Sequence, residues 1–179
     1  MKQLMPAIKL FALLTVLTGI LYPLFITLIA QKVFPEQANG SLLYKDGKLV
    51  GSALVAQKFQ TPQYFWARPS AVDYNPMPSG GSNAGPTSAD LKAKVLERQK
   101  LGLTDEMLFA SASGLDPHIS PAAAKSQVER IVLARKLGET GKGKLMQLIE
   151  QNTEQRQFGF LGEVRVNVLR LNLALDQGV

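Results

Sequence analysis

No cysteine occurs in the 179 residues, and histidine occurs once. The first absence excludes disulfides and thiolate metal sites, so any domain built from this chain is held by its core alone. The second leaves a metal centre or a catalytic triad a single imidazole to work with, His118. Also missing is the lysine followed by Ser or Thr that a phosphate-binding P-loop requires, and so is a Gly-x-Ser-x-Gly nucleophile elbow. Lys and Arg nowhere form a run interleaved with aromatics, so the basic balance does not read as a nucleic-acid surface.

The most telling absence is of charge between Leu10 and Ala30, twenty-one residues bounded by Lys9 and Lys32. At about 1.5 Å per residue a helix of that length crosses a hydrocarbon core of about 30 Å. A cleavable signal has a shorter apolar centre and then a small-x-small site; Gln31, Lys32, Val33, Phe34 and Pro35 offer none. A helix buried in a soluble protein would show a polar face, and none is present. The segment therefore reads as a retained membrane helix, with Tyr22 and Pro23 inside it and a kink expected near Ile20 to Pro23. Lys2 and Lys9 on the short leading segment place the N-terminus in the cytoplasm under the positive-inside tendency. The expected organisation is a cytoplasmic segment over 1–9, a transmembrane helix over 10–30, and a single extracytoplasmic, periplasmic domain over 31–179. Setting Lys2 and Lys9 aside, the charge of +6 falls to +4.

That domain reads as α+β, a mixed α/β unit behind one transmembrane helix. Ser41–Tyr44 and Leu49–Ala56 predict two strands around an Asp46–Gly47 turn. From Gln57 to Thr87 the periodicity disappears and aromatics, prolines and glycines accumulate. This long loop is either pinned to the core by Phe65 and Trp66 or a docking surface, since Phe65 and Trp66 beside Arg68 have the composition that anchors interfaces. Within it, Ser79, Gly80, Gly81, Ser82 and Asn83 have a formal likeness to the signature loop of ABC ATPases. Turns needing positive φ are the simpler reason for Gly80, Gly81 and Gly85. Helices are predicted from Ser88 to about Leu101, from Ser120 to just before Gly138, and over Lys144–Asn152. Met107–Ser113 and Val164–Val168 read as strands, and Leu169–Asp176 as a helical tail.

The stretch Gly114–Pro121 holds His118 with Ser113, Asp116 and Ser120 close by. A membrane-anchored hydrolase or binding domain using this loop is the competing functional reading. Triad members normally come from separated segments, so neighbours on one proline-bounded loop seldom reach both edges of an imidazole.

Several blocks together carry a resemblance: Thr18, Gly19, Tyr22 and Pro23 in the span; Gly51–Ala53; Arg68–Ala71; Ser79–Asn83; Ser111–Pro121; and Asn167 followed by Leu171, Asn172, Ala174, Leu175 and Asp176. In this order, over nearly the full length, they resemble the C subunit of the bacterial Kdp potassium-transporting ATPase. The resemblance implies a non-catalytic subunit of an inner-membrane potassium importer, in contact with membrane lipid. Its implied partners are a channel-like potassium-translocating subunit, a P-type ATPase subunit and a small stabilising peptide subunit. The chain lacks the Asp-Lys-Thr-Gly motif of the second and the pore-loop repeat of the first. The family is described as a catalytic chaperone raising ATP affinity, and Gln127 stands where a nucleotide-linked glutamine is proposed. No tightly bound cofactor is implied, and ATP is reached only through the complex. Interface candidates are Phe65, Trp66, Arg68, Ser79, Gly80, Gly81, Asn83, Asp116 and His118.

Overall fold

The computed structural model describes residues 3–103 and 105–178 and divides the chain into two compact units, 1–42 and 43–179. Lys2, used above for orientation, and Thr104, expected in a turn, lie outside the described residues.

The first unit is a helix of 30 residues, Leu4–Val33, with no buried side chain. Such a helix is about 45 Å long, enough for a bilayer and its interfaces. It comprises α1 (Leu4–Val16), a π-helical turn (Leu17–Leu21) and α2 (Tyr22–Val33). The π turn stands where a kink was expected. Pro23 supplies no N–H to the ladder, and widening the preceding turn changes the hydrogen-bond register just before the proline. Thr18 bonds its hydroxyl back to the Leu14 carbonyl at 2.7 Å, so it presents no unpaired polar group to lipid. Phe34 leaves helical geometry, Pro35 starts the short helix α3 (Pro35–Ala38), and the Gln31 and Asn39 amides pair at 3.2 and 3.3 Å.

The hairpin β1 (Leu42–Lys45) and β2 (Lys48–Ser52) starts on the last residue of the first unit and runs into the second. Asp46 and Gly47 take φ of 52° and 75°, the conformation a two-residue hairpin turn requires. β2 ends four residues earlier than expected. Ser88 caps α4 (Ala89–Lys100), accepting from the Leu91 N–H at 3.3 Å.

The strand expected over Met107–Ser113 is absent; a 3-10 turn over Asp105–Leu108 replaces its start. Backbone groups there find other partners: Arg98 donates to the Leu108 carbonyl and the Ser111 N–H to Pro69. The helix expected from Ser120 is two helices, α5 (Pro121–Ser126) and α6 (Val128–Arg135), separated at Gln127. Lys136, at φ 57°, stops α6 in place of Gly138, which instead precedes α7 (Glu139–Gln151).

A three-stranded antiparallel sheet has β5 (Arg165–Asn167) between β3 (His118–Ile119) and β4 (Thr153–Glu154). Its pairs are His118 with Asn167, Ile119 and Thr153 with Val166, and Glu154 with Arg165. α8 (Val168–Gly178) follows β5 directly. The core joins Phe65 and Met107 to Ala124, Val128 and Ile131 of α5 and α6, Leu145 and Ile149 of α7, Val166, and Leu171 and Leu175 of α8. Each large side chain there contributes about 1.5–3 kcal/mol. The expected α+β domain behind one apolar helix is what the structure shows.

Candidate functional site

At the centre of the second unit an extended segment with no strand partner lies against the helices. Two side-chain amides do what a neighbouring strand would. Asn172 of α8 accepts from the Phe65 N–H and donates to the Phe65 carbonyl, both at 2.9 Å. Gln127 accepts from the Trp66 N–H at 2.8 Å and donates to the Trp66 carbonyl at 3.1 Å. Each amide therefore replaces one residue of a sheet ladder, and both are 2% exposed. The break between α5 and α6 falls at the residue that makes this contact. A third buried amide, Asn167, donates to the Ala53 carbonyl at 2.7 Å and accepts from the Arg170 N–H at 3.1 Å.

Arg130 extends the clamp. It donates to Pro62 O at 2.7 Å, to Tyr64 O at 3.0 Å and to Gln127 Oε1 at 2.7 Å, with its guanidinium 3.7 Å above the Trp66 ring. Burial pulls its pKa down to about 10, which leaves it cationic at neutral pH. Carbonyls and a ring face thus hold this charge in place of a carboxylate. Arg135 adds a bond to Gln63 O at 2.9 Å and an ion pair to Asp176 at 2.9 Å.

Asp176 is a hub, also accepting from Lys45 at 2.8 Å and Tyr64 Oη at 3.2 Å. Burial raises its pKa, but the bonds from Lys45, Arg135 and Tyr64 outweigh this and hold it below 3.8. A carboxylate depressed by folding adds stability above its unfolded value, and that stability is lost as pH falls through the folded one. Asp176→Asn is accordingly expected to lower stability at neutral pH and to flatten the acid limb below about pH 4, read by circular dichroism. An unchanged acid limb would show that other carboxylates control it.

The interface candidates separate. Phe65 is fully buried, so it has no surface to offer a partner; it pins the loop to the core. Trp66 is partly buried under Arg130. Arg68 donates to Ala110 O at 3.4 Å and lies 3.7 Å from Asp116. Gly80 and Gly81 belong to a close backbone approach: a Cβ on Gly81 would meet Ala112 O at 2.9 Å, and the Gly80 carbonyl faces Gly114; Ser79, just before them, is exposed. None of Gly80, Gly81 and Gly85 has positive φ, which corrects the expected reason for them; in this segment Asn83 does, at 51°. The adjoining cleft of about 290 Å³ is lined by Ser82, Lys94 and Arg98. Both cations are committed, Lys94 to Asp90 at 2.8 Å and Arg98 to Leu108 O at 2.5 Å.

His118 lies in β3, where burial first, and then Arg165, hold its pKa below 6.5. Its ring nitrogens stand 3.9 Å from Asp116 Oδ1 and 3.5 Å from the Asn167 amide. Ser120 and Ser113 spend acceptor capacity on the Ala123 and Leu115 N–H groups. Neither hydroxyl is paired with the imidazole in the hydrogen bonds of the described residues, so the loop shows no serine activated by this histidine. Nor do the described residues contain a group of three or more His, Cys, Asp or Glu placed to hold a metal.

Gln127 spends its amide on the Trp66 backbone. Its amide is buried and engaged, and an external ligand would have to displace Trp66 from it. In the sequence Asn172 stands out only within a block of resemblance. The available signal was a polar amide set in the apolar stripe of Leu171 and Leu175.

The family model described as "KdpC: K+-transporting ATPase, c chain" matches residues 4–177. The chain belongs to the KdpC family. It is 51% identical to the potassium-transporting ATPase KdpC subunit of Geotalea uraniireducens, covering 99% of this chain and 98% of that protein. With the KdpC subunit of Burkholderia cenocepacia it shares 51% identity over 98% of this chain and 97% of the other. For that of Geobacter sulfurreducens the identity is 50%, covering 98% of each. KdpC membership makes the chain a non-catalytic accessory subunit, and nothing supports the hydrolase reading of the His118 loop.

Proposed function

We propose that this chain is the single-pass accessory subunit of an ATP-driven potassium importer. It supports assembly and potassium entry beside a channel-like translocating subunit, a P-type ATPase subunit and a small stabilising peptide subunit. The observation that carries this reading is full-length, co-linear similarity to subunits of potassium-transporting ATPases. The apolar helix holds the chain in the inner membrane with its bulk outside the cytoplasm, and the outer domain caps the potassium entrance. The clamp suits such a role, because a cap must hold one shape against a partner, and buried amides that satisfy a strandless segment specify one arrangement. ATP is hydrolysed on the opposite side of the membrane, so any influence on nucleotide affinity passes through the ATPase subunit.

Affinity purification of the tagged full chain from membranes in mild detergent tests this. Two large membrane proteins should accompany it, with potassium-stimulated ATPase activity in the same fraction. A chain that purifies alone, or whose deletion leaves growth at limiting potassium unchanged, would end the reading.

A further inference from the structure

We propose that the turn Gln157–Leu161 is a second membrane contact, dipping Phe158 and Phe160 into the headgroup region of the bilayer. The proposal rests on the membrane-anchored reading above. Phe158 is 86% exposed and Phe160 71%, with Leu161 beside them at 47%. Three apolar side chains within four positions stand out from the folded unit without contributing to its core.

The backbone of this turn is already closed on itself. The Gln157 and Leu161 N–H groups each bond the other's carbonyl at 2.9 Å; Phe160 N–H reaches Gln157 O at 3.2 Å and Gly159 N–H reaches Arg156 O at 3.1 Å. A turn that pairs four of its N–H groups internally carries fewer open donors into the headgroup region than an unbonded loop would, and its tip carbonyls remain where headgroup water reaches them. Phe158 takes φ 53° and Gly159 φ 82°, positions where Asn-Gly is the comfortable pair. An aromatic there is sterically costly, and no packing within the chain offsets it.

Charge fits the same occupant. Arg156, at the foot of the turn, is exposed and takes part in none of the ion pairs among the described residues, so its long side chain can reach lipid phosphates. Arg165 is held by Glu154 at 2.9 Å, and Glu163 remains exposed on the other limb of the turn. Eight residues separate the end of α2 from β1, a tether that even fully extended spans only about 30 Å.

Because the chain has no cysteine, single-cysteine labelling is site-specific. Full-length Phe158→Cys, Phe160→Cys and Leu133→Cys chains would carry an environment-sensitive fluorophore in vesicles of phosphatidylethanolamine and phosphatidylglycerol. Leu133, 77% exposed on α6, is the reference. Spin-labelled lipids should quench the turn positions about twofold or more above Leu133, and Arg156→Glu should reduce that excess. Phe160→Cys supplies the result if Phe158→Cys alters the turn. Equal quenching at all three sites, in chains that float with the vesicles, overturns the membrane contact and leaves the anchor standing. Failure to float removes both. Shielding of the turn from aqueous iodide without lipid quenching, seen only when the large subunits are present, assigns it to a protein interface and also overturns the proposal. An Asn39→Cys chain, labelled with a reagent unable to cross lipid, reports the orientation of the anchor in the same vesicles.

Discussion

Gln127→Ala is expected to unfold this domain more readily by about 2–5 kcal/mol, because it strands the buried N–H and carbonyl of Trp66 and one donor of Arg130. Folded domains hold only about 5–15 kcal/mol in reserve, so the loss is a large share. Asn172→Ala should cost a similar amount by leaving both peptide groups of Phe65 without partners in a site that is 2% exposed. The double substitution should cost less than the sum, since releasing one end of a two-residue segment lets water reach the other. Denaturant midpoints of the full chain in detergent, followed by far-ultraviolet circular dichroism, give the comparison. A Gln127→Ala chain with an unaltered midpoint but weaker nucleotide binding by the assembled complex would contradict the clamp and restore a ligand role.

Gly114→Ala should be nearly as damaging, about 2–4 kcal/mol, for a steric reason. Gly114 sits at φ 72°, and an added Cβ would meet Val72 Cγ2 at 2.7 Å and the Gly80 carbonyl at 2.8 Å. One of those neighbours is backbone and cannot rotate away. Relief would therefore have to come from separating the Gly80–Gly81 stretch of the loop from Ala112 and Gly114. Gly85→Ala is the control: nothing lies within 4 Å of its Cβ position and its φ is not positive. Protease cleavage within residues 70–90 should accelerate for Gly114→Ala and stay at the parent rate for Gly85→Ala. Equal rates would mean the glycine loop is not held by this approach.

How much of this was legible beforehand depends on the range over which each residue acts. Asp46–Gly47 and Ser88 were readable because a positive φ and a cap are settled within four residues. Gln127 was singled out through resemblance, yet its task could not be seen, because Trp66 lies 61 positions away in the chain. Met107–Ser113 read as a strand because its apolar residues are consecutive. In the fold Met107 is buried, Phe109 faces solvent, and backbone groups there find Arg98 and Pro69 rather than a neighbouring strand. Gly138 looked like a helix stop by residue type, but Lys136 had already taken the left-handed turn.

The anchor, the single-domain length, the lack of cysteine chemistry and the family blocks were set by the sequence itself, since each depends on composition or order and not on what lies opposite. Only the tertiary structure decided that Phe65 belongs to the core and not to an interface, that Gly81 serves a close approach and not a turn, and that Gln127 and Asn172 act as a surrogate strand. Those assignments turn on which atoms meet across 61 and 107 positions of chain, and a side-chain amide carries no mark of the peptide group it will satisfy until the chain has closed around it.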